Sequence, residues 1–303
     1  MTTDNIGGVW TYALELAGGL KKSGAEVTLA VIGDPLTANQ RKELQEFRYF
    51  HFVAKQEWME DPWDDVQKTG EWLLEIKKKI NPDLVHLNSY SLAALQWEVP
   101  VVVVLHSCVL TWWKAVKKEE APSGWNRYRD KISEGIRSAD AVAAPGWVML
   151  NSAEKLYGPF KNKKLIYNGR NPQLFKKGKK EKFIFSMGRL WDEAKNIQLV
   201  SEAAADIHYN IFVAGDYQTD EFKLKSNIFL LGRMNPDQIS DWLSNAAVYV
   251  LPAKYEPFGY TFLEAAFSGC ALIGGNIDSL KEIWDDAMIY TDTENAQQLA
   301  RTV

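Results

Sequence analysis

Short apolar runs alternate with amphipathic helical patterns along most of the chain. Runs rich in β-branched residues are typical of strands, whereas apolar positions three and four residues apart predict helices. The predicted strands lie at 26–32, 48–54, 83–87, 100–106, 139–144, 164–167, 183–187, 209–214, 227–231, 247–251 and 271–274. The predicted helices lie at 11–22, 35–46, 64–80, 125–137, 148–157, 196–205, 236–245, 257–269, 279–284 and from 294 onward. This alternation predicts an α/β fold with parallel sheets.

A basic segment with glycine and proline separates two blocks of this alternation. With 303 residues, the chain is long enough for two medium-sized domains. We predict an N-terminal domain at 1–170, a linker at 171–182 and a C-terminal domain at 183–303. The four consecutive valines of the run 100–106 predict a strand buried on both faces, which is typical of the centre of a parallel sheet.

The stretch 252–269 carries the strongest candidate chemistry. Pro257 suits the first turn of a helix that runs to Gly269, so Glu256 lies in the preceding loop and Glu264 inside the helix. At about 1.5 Å of rise per residue, the two carboxylates are too far apart to share a proton. We expect unpaired N–H groups between them at the helix start, where an anion is favoured. A nucleotide-sugar, with hydroxyls at both ends and a diphosphate between them, has this layout.

A second motif follows the first predicted strand of the C-terminal domain. Gly188 and Arg189 end this strand, and Lys195 follows six residues after the arginine, just before the next helix. A guanidinium that contacts two phosphate oxygens and an ammonium that acts as a point charge would stabilise a diphosphate leaving group. The alternative is a surface loop in which the cations pair with Asp192 and Glu193.

Two features of the N-terminal domain lie where ligands of α/β folds bind. Gly7 and Gly8 precede the predicted helix 11–22 and would let a ligand approach the backbone closely. Tight packing is the alternative, and the missing Gly-x-Gly-x-x-Gly spacing argues against a dinucleotide-binding loop. His106 ends the strand 100–106, at the edge where open α/β sheets hold ligands. It could equally be a structural histidine whose hydrogen bonds are satisfied.

Composition excludes several classes of protein. With 46% hydrophobic and 24% charged residues the chain is an ordinary globular protein. A net charge of -4 gives no general attraction for nucleic acid or anionic membranes. Cys108 and Cys270 are far apart and show neither metal-ligand spacing nor a disulfide framework. The cysteine spacing therefore predicts no metal site. No apolar run reaches membrane-spanning length and the first five residues show no signal-peptide pattern, so we expect no membrane span and a cytoplasmic protein.

The stretch from Glu256-Pro-Phe-Gly to Glu264 resembles the Glu-x7-Glu signature of retaining glycosyltransferases of the GT-B architecture. This large family includes sucrose and glycogen synthases and bacterial mannosyltransferases. The resemblance implies two Rossmann-like, doubly wound parallel-sheet domains that face a cleft. It also implies transfer of a sugar from a nucleoside-diphosphate-sugar donor to a hydroxyl acceptor, with retention of the anomeric configuration. No cofactor besides the donor substrate and no metal is implied.

The resemblance assigns roles to individual residues of this chain. Arg189 and Lys195 would stabilise the leaving diphosphate, and Glu264 would hold the ribose hydroxyls. Glu256 and His106 would contact the donor sugar. The further donor-binding positions are Gly7, Gly8, Gly188, Met234, Phe258, Gly259 and Tyr260.

Both ends of the chain look short in comparison with members of this family. Family members have a complete strand before the Gly-Gly pair, but Met1 stands only six residues before Gly7. We therefore expect the first sheet to lack this strand.

Three other functions need to be weighed. A nucleotide-sugar epimerase lacks the Glu-Pro-Phe-Gly stretch, and a glycan phosphorylase needs a far longer chain with a Schiff-base lysine. A non-catalytic domain that binds a nucleotide-sugar remains open.

Overall fold

A computed structural model describes residues 1–216 and 225–303. Its contacts divide the chain into two units. The first unit consists of Met1–Lys114 and Lys118–Gly169, and the second of Ala115–Lys117 and Arg170–Val303. The segment predicted as a linker, 171–182, lies in the second unit, and its last two residues already form part of a strand.

The first unit contains two parallel sheets. Strands β1 (Thr2–Asp4), β2 (Thr28–Ile32) and β3 (Arg48–Phe52) form one sheet in this order. Strands β4 (Val85–Leu87), β5 (Val101–Val104), β6 (Ala141–Ala144) and β7 (Lys163–Leu165) form the other. The expectation of a missing first strand is wrong, because β1 pairs with β2 directly before the Gly-Gly pair. Three residues are too few to show a strand periodicity.

The two sheets adjoin between β1 and β4. Hydrogen bonds between Asn88 and Thr2 connect them there, in place of the regular backbone hydrogen bonds of a paired strand. Asn88 follows β4 directly; its main-chain N–H donates to Oγ1 of Thr2 (2.8 Å) and its Nδ2 donates to the carbonyl oxygen of Thr2 (2.6 Å). The strand orders β3-β2-β1 and β4-β5-β6-β7 run in opposite directions from this seam. The carboxyl ends of β1 and β4 therefore meet at a topological switch point, where open α/β sheets bind ligands.

Two helices of the first unit, α3 (Trp63–Ile80) and α5 (Asn126–Ser138), show how the sequence favours them. Helix α3 has Asp64 and Asp65 in its first turn and lysines in its last, which favours both ends of the helix dipole. Helix α5 places Ile132 and Ile136 in the main core with the central strands. The helices are α1 (Gly7–Lys22), α2 (Ala38–Glu43), α3 (Trp63–Ile80), α4 (Val109–Val116), α5 (Asn126–Ser138) and α6 (Trp147–Tyr157).

The second unit contains one parallel sheet in the order β10-β9-β8-β11-β12-β13. Its strands are β8 (Glu181–Met187), β9 (Asn210–Ala214), β10 (Ile228–Gly232), β11 (Ala246–Leu251), β12 (Ala271–Gly275) and β13 (Ile289–Thr291). Phe185 of β8 and Tyr249 of β11 are fully buried in its core. The order reverses between β8 and β11, so this sheet also has a central switch point. Both units confirm the predicted α/β class with parallel sheets.

One helix of the second unit begins later than predicted. Helix α9 starts at Tyr260, after Gly259 with φ +91°, and not at Pro257. It ends at Phe267, and Gly269 follows with φ +82°. The helices are α7 (Ile197–Ala203), α8 (Pro236–Asn245), α9 (Tyr260–Phe267), α10 (Asp278–Trp284) and α11 (Ala296–Thr302). Within 1–216 and 225–303, no helix combines the length and apolar character that a membrane crossing needs.

Candidate functional site

Two loops are tied together at the switch point of the second unit. One follows β8 and the other follows β11, and the two strands are parallel neighbours. The N–H of Lys254 donates to the carbonyl oxygen of Ala194 (2.8 Å), and Nδ2 of Asn196 donates to that of Pro252 (2.9 Å). The loop that carries the predicted cations is therefore fixed to the loop that carries Glu256.

A buried ion pair joins these loops. Nζ of Lys195 lies 2.7 Å from Oε2 of Glu256, and the two side chains are only 18% and 14% exposed. The other oxygen of Glu256 accepts the N–H of Gly259 at 2.9 Å. The prediction of unpaired N–H groups between the glutamates is thus wrong at Gly259. The carboxylate three residues earlier satisfies this N–H, as an N-terminal cap does.

The turn before α9 is held from its own helix and from α10. The left-handed φ of Gly259 excludes most side chains, and a Cβ there would lie 2.7 Å from the ring of Phe262. Oγ of Ser279 donates to the carbonyl oxygen of Glu256 (2.8 Å), and Nε1 of Trp284 donates to that of Phe258 (2.9 Å). The Phe258 side chain is buried, so a donor contact there could involve only its main chain.

Arg189 has its own partners in the loop after β8. Its Nη2 lies 2.8 Å from Oδ2 of Asp192, and its guanidinium lies 5.3 Å from the ring centroid of Trp191. The Asp192 pair is the alternative that the sequence left open for this loop. Lys195 is not part of this pair. It packs close to Gly188, since a Cβ atom added to Gly188 would lie 3.3 Å from Cγ of Lys195.

Glu264 is paired with an arginine that the sequence did not indicate. Its Oε1 lies 3.0 Å from Nε of Arg170, and the side chains are 12% and 16% exposed. The arginine is the last residue of the predicted N-terminal domain, 94 positions before its partner. Of the other predicted positions, Tyr260 is the first residue of α9 and stacks edge-on against Phe258. Met234 packs against the core of this unit.

The first unit brings the two glycines and His106 to its own switch point. Gly7 and Gly8 begin α1, and both are exposed; the φ of Gly7 is +66°. One turn further along α1, the ring of Tyr12 stands edge-on to the imidazole of His106, with centroids 4.5 Å apart. Burial lowers the pKa of His106 to about 3 and that of neighbouring His86 to about 4. Both imidazoles are therefore neutral at physiological pH.

Asn88 decides which nitrogen of His106 carries the proton. Because Nδ2 of Asn88 donates to Thr2, its Oδ1 faces Nε2 of His106 at 2.8 Å. That oxygen only accepts, so Nε2 must donate and Nδ1 remains an acceptor. The sequence could have indicated Asn88, since it directly follows a predicted strand next to the one that His106 ends.

A buried network fixes the turn that carries His106. The hydroxyl of Tyr90 accepts the N–H of His106 (2.9 Å) and donates to the carbonyl oxygen of Ser107 (2.7 Å). The carboxylate of Glu57 accepts the N–H groups of Tyr90 (2.8 Å) and Ser91 (2.9 Å). Burial raises the pKa of Glu57. No local sequence pattern indicates Glu57, because it lies in an irregular segment.

Comparison with known proteins places the chain in a family. The model of the family described as Glycosyltransferase Family 4 matches residues 6–174, and that described as Glycosyl transferases group 1 matches residues 169–303. The chain belongs to glycosyltransferase family 4. An uncharacterised glycosyltransferase of Methanocaldococcus jannaschii is 29% identical over 148 residues, which cover 40% of this chain. The match spans 38% of that relative's length.

Solved structures show the fold of this family 4 chain. It is similar to sucrose-phosphate synthase from Thermosynechococcus elongatus, with a TM-score of 0.78 at 18% identity over 99% of this chain and 84% of the other. It is also similar to Anabaena HepE in complex with UDP and glucose, with a TM-score of 0.77 at 14% identity over 99% of this chain and 88% of the other. The chain therefore has the GT-B fold, and the predicted membership of the glycosyltransferase group 1 family is confirmed.

The second-unit cluster of this family 4 chain suits an anion that carries hydroxyl groups. Arg189 and Lys195 are each paired with a carboxylate. Phosphate oxygens could take the place of these carboxylates, because charge-assisted hydrogen bonds to phosphate are stronger than neutral ones. In the part of the chain that the structure describes, no group of three or more histidine, cysteine or acidic side chains could hold a metal ion. The charges at this site include those of the two cations, Arg170 and the acids that they pair with.

Proposed function

We propose that the chain transfers a glycosyl group from a nucleoside-diphosphate-sugar to a hydroxyl acceptor, with retention of the anomeric configuration. The ion pair between Lys195 and Glu256 carries this proposal. It joins the loops after two neighbouring parallel strands at the switch point where such sheets bind nucleotides. Family membership supports glycosyl transfer, and the resemblance to retaining enzymes supports retention.

The proposed leaving group is a diphosphate bound by Arg189 and Lys195. The guanidinium would exchange Asp192 for phosphate oxygens, and the ammonium would share its charge between Glu256 and the diphosphate. Both side chains are positioned before the ligand arrives, because each is already bonded within its loop. Preorganised charges of this kind commonly contribute several kcal/mol to transition-state stabilisation, about 3 kcal/mol for one donor.

The two carboxylates would bind the two ends of the donor. Glu264, on α9, would accept hydrogen bonds from the ribose hydroxyls, and Glu256, in the turn before α9, from the sugar. The complex of HepE with UDP and glucose supports a uridine nucleotide as the first donor to test. We assign the acceptor side of the reaction to the first unit, where Gly7, Gly8 and the neutral imidazole of His106 lie at one seam.

Thermal-shift measurements with UDP-glucose, GDP-mannose and ADP-glucose test the donor site. A ligand at one hundred times its Kd stabilises a protein by about 2.7 kcal/mol, so one donor should raise the melting temperature of the wild type. We expect Lys195→Ala and Glu264→Ala to lose most of this shift. Lys182→Ala is the matched control, because its side chain is exposed at the start of β8 and should keep the shift.

The outcomes distinguish an enzyme from a binding domain. If no donor shifts the melting temperature of the wild type, the donor-site assignment fails. If a donor binds but neither transfer nor slow release of its sugar is detected on long incubation, the chain is a non-catalytic nucleotide-sugar-binding protein. Anomeric analysis of the product by NMR tests retention separately.

A further inference from the structure

Arg170 contacts the helix that carries the proposed ribose-binding carboxylate. Its Nε lies 3.0 Å from Oε1 of Glu264, and both side chains are largely buried. From this geometry we infer that Arg170 is a positioning residue for the ribose side of the donor site: it holds Glu264 in the orientation that accepts the ribose hydroxyls. This inference rests on the proposed function.

A second contact holds Arg170 on the same helix. Its guanidinium lies over the ring of Phe175, 5.4 Å from the centroid, and this ring packs against that of Phe267 at 6.1 Å. Phe267 follows Glu264 by three positions, so both lie on one face of α9. The arginine is therefore held by a charge at one point of the helix and by an aromatic pair at the next turn. A guanidinium held in this way has little freedom to leave the carboxylate.

The environment of Glu264 explains why it needs a cation. Glu264 is buried on α9. Phe262 and Ala265, which come before and after it along the chain, are fully buried. A carboxylate in such surroundings is costly unless it is paired and hydrogen-bonded. Arg170 provides that charge from within the protein, before a nucleotide binds.

Arg170 and a ribose can use the same carboxylate. An ionised carboxylate has about four acceptor positions, so the hydrogen bond from Nε at Oε1 does not by itself exclude hydroxyl donors. The rigid, planar guanidinium also presents its donors in a fixed geometry, which a flexible ammonium does not. Arg170 should therefore affect recognition of the ribose hydroxyls specifically and not nucleotide binding in general.

Calorimetry with a nucleotide and its 2′,3′-dideoxy analogue tests this inference. The probe is whichever of UDP, GDP and ADP binds the full chain most tightly. Since hydrogen bonds to a charged group are the stronger kind, we expect the wild type to prefer the ribonucleotide at least about tenfold. In Arg170→Gln this preference should fall below about threefold, and Arg170→Lys, which keeps the charge without the fork, should lie between them. Arg301→Gln, an exposed arginine of α11, should keep the wild-type preference.

A double-mutant cycle shows whether Arg170 acts through Glu264. We expect Glu264→Gln to lower the preference as Arg170→Gln does, and the double variant to lower it no further. A merely structural role would weaken both nucleotides equally and leave the preference unchanged, which would overturn the inference alone. A wild type that binds none of the three nucleoside diphosphates would overturn the proposed donor site and this inference with it.

Discussion

The orientation of a single amide, that of Asn88, defines the chemistry available at His106. Thr2 holds the amide from β1, and Asn88 in turn holds Nε2 of the imidazole. A neutral ring with Nδ1 as acceptor can orient a hydroxyl group but cannot supply a positive charge. His106 is thus suited to binding a sugar or an acceptor hydroxyl, and the cations of the proposed reaction lie in the second unit.

The substitution Asn88→Asp tests this arrangement. Aspartate keeps an acceptor opposite Nε2 but adds a negative charge, which favours the imidazolium form. The pKa of His106 should therefore rise well above about 3. In ¹⁵N NMR spectra the wild-type ring should remain the neutral Nε2–H form from pH 5 to 8, whereas the variant ring should gain its second proton at higher pH. The exposed Asn276→Asp is the control, and wild-type titration near pH 6.5 would contradict the assignment.

Sequence reasoning found individual positions better than it found pairs. That His106, Arg189 and Lys195 lie near the ends of parallel strands could be predicted, and their role in binding a ligand stays a prediction. The partner of Glu264 could not be predicted, because Arg170 stands 94 positions away, at the end of the predicted N-terminal domain. Thr2 is separated from Asn88 by 86 positions. Only the folded backbone relates residues at such distances.

At the level of elements, the turn between β11 and α9 determines the geometry around Glu256. Pro257 suggested a helix start, since proline is favoured in the first helical turn. The structure delays the helix to Tyr260, because Gly259 takes a left-handed conformation and Glu256 caps its N–H. A proline preference is a weak guide when a glycine follows two residues later.

Gly259→Ala should disrupt this turn. The new Cβ would overlap the ring of Phe262, which is fully buried and packed against Tyr249. Gly24→Ala is a matched control, since Gly24 has nearly the same φ, +90°, with nothing near its Cβ position. The left-handed conformation alone costs about 1–2 kcal/mol, so both variants lose this much. Urea unfolding should show a larger loss for Gly259→Ala.

Gly259→Ala should also lose donor binding, because Glu256 depends on the N–H of residue 259 for its orientation. Calorimetric titration with the donor that binds the wild type measures this loss, and Gly24→Ala should bind normally. Equal stability losses in the two variants would mean that the Phe262 ring accommodates the methyl group. Unchanged donor binding in Gly259→Ala would separate the turn from the donor site.

Elements with a strong pattern could be predicted and several short ones could not. Helix α8 was predicted with the bounds that it has because its apolar positions follow a helical period, and β11 within one residue because it is a continuous apolar run. Strands β1 and β13, with three residues each, were missed, whereas the equally short β4 and β7 were predicted from the apolar runs around them. Helix α4 was also missed: its eight residues follow His106 closely and include adjacent tryptophans that show no clear apolar and polar faces.

For the whole molecule, the alternation of strands and helices predicted the class of fold but not the order of strands. That the parallel strands are joined by right-handed crossovers follows from the alternation together with the twist of the strands. The point where the order reverses does not, because it depends on which edge each new strand joins. Each unit reverses its order once, between β1 and β4 and between β8 and β11. The residues singled out from the sequence as strand-end candidates collect at these two points.

Hydrogen exchange on the full chain can locate the donor between these two switch points. The proposed site lies in the loops after β8 and β11 and at the start of α9, so a bound donor should slow amide exchange there most. The reason is that a ligand must leave before the segments that it holds can open. Lys195→Ala should remove this protection, whereas Lys182→Ala should keep it. Protection concentrated instead at Gly7, Gly8 and the turn after β5 would place the donor in the first unit and reverse the assignment of donor and acceptor sides.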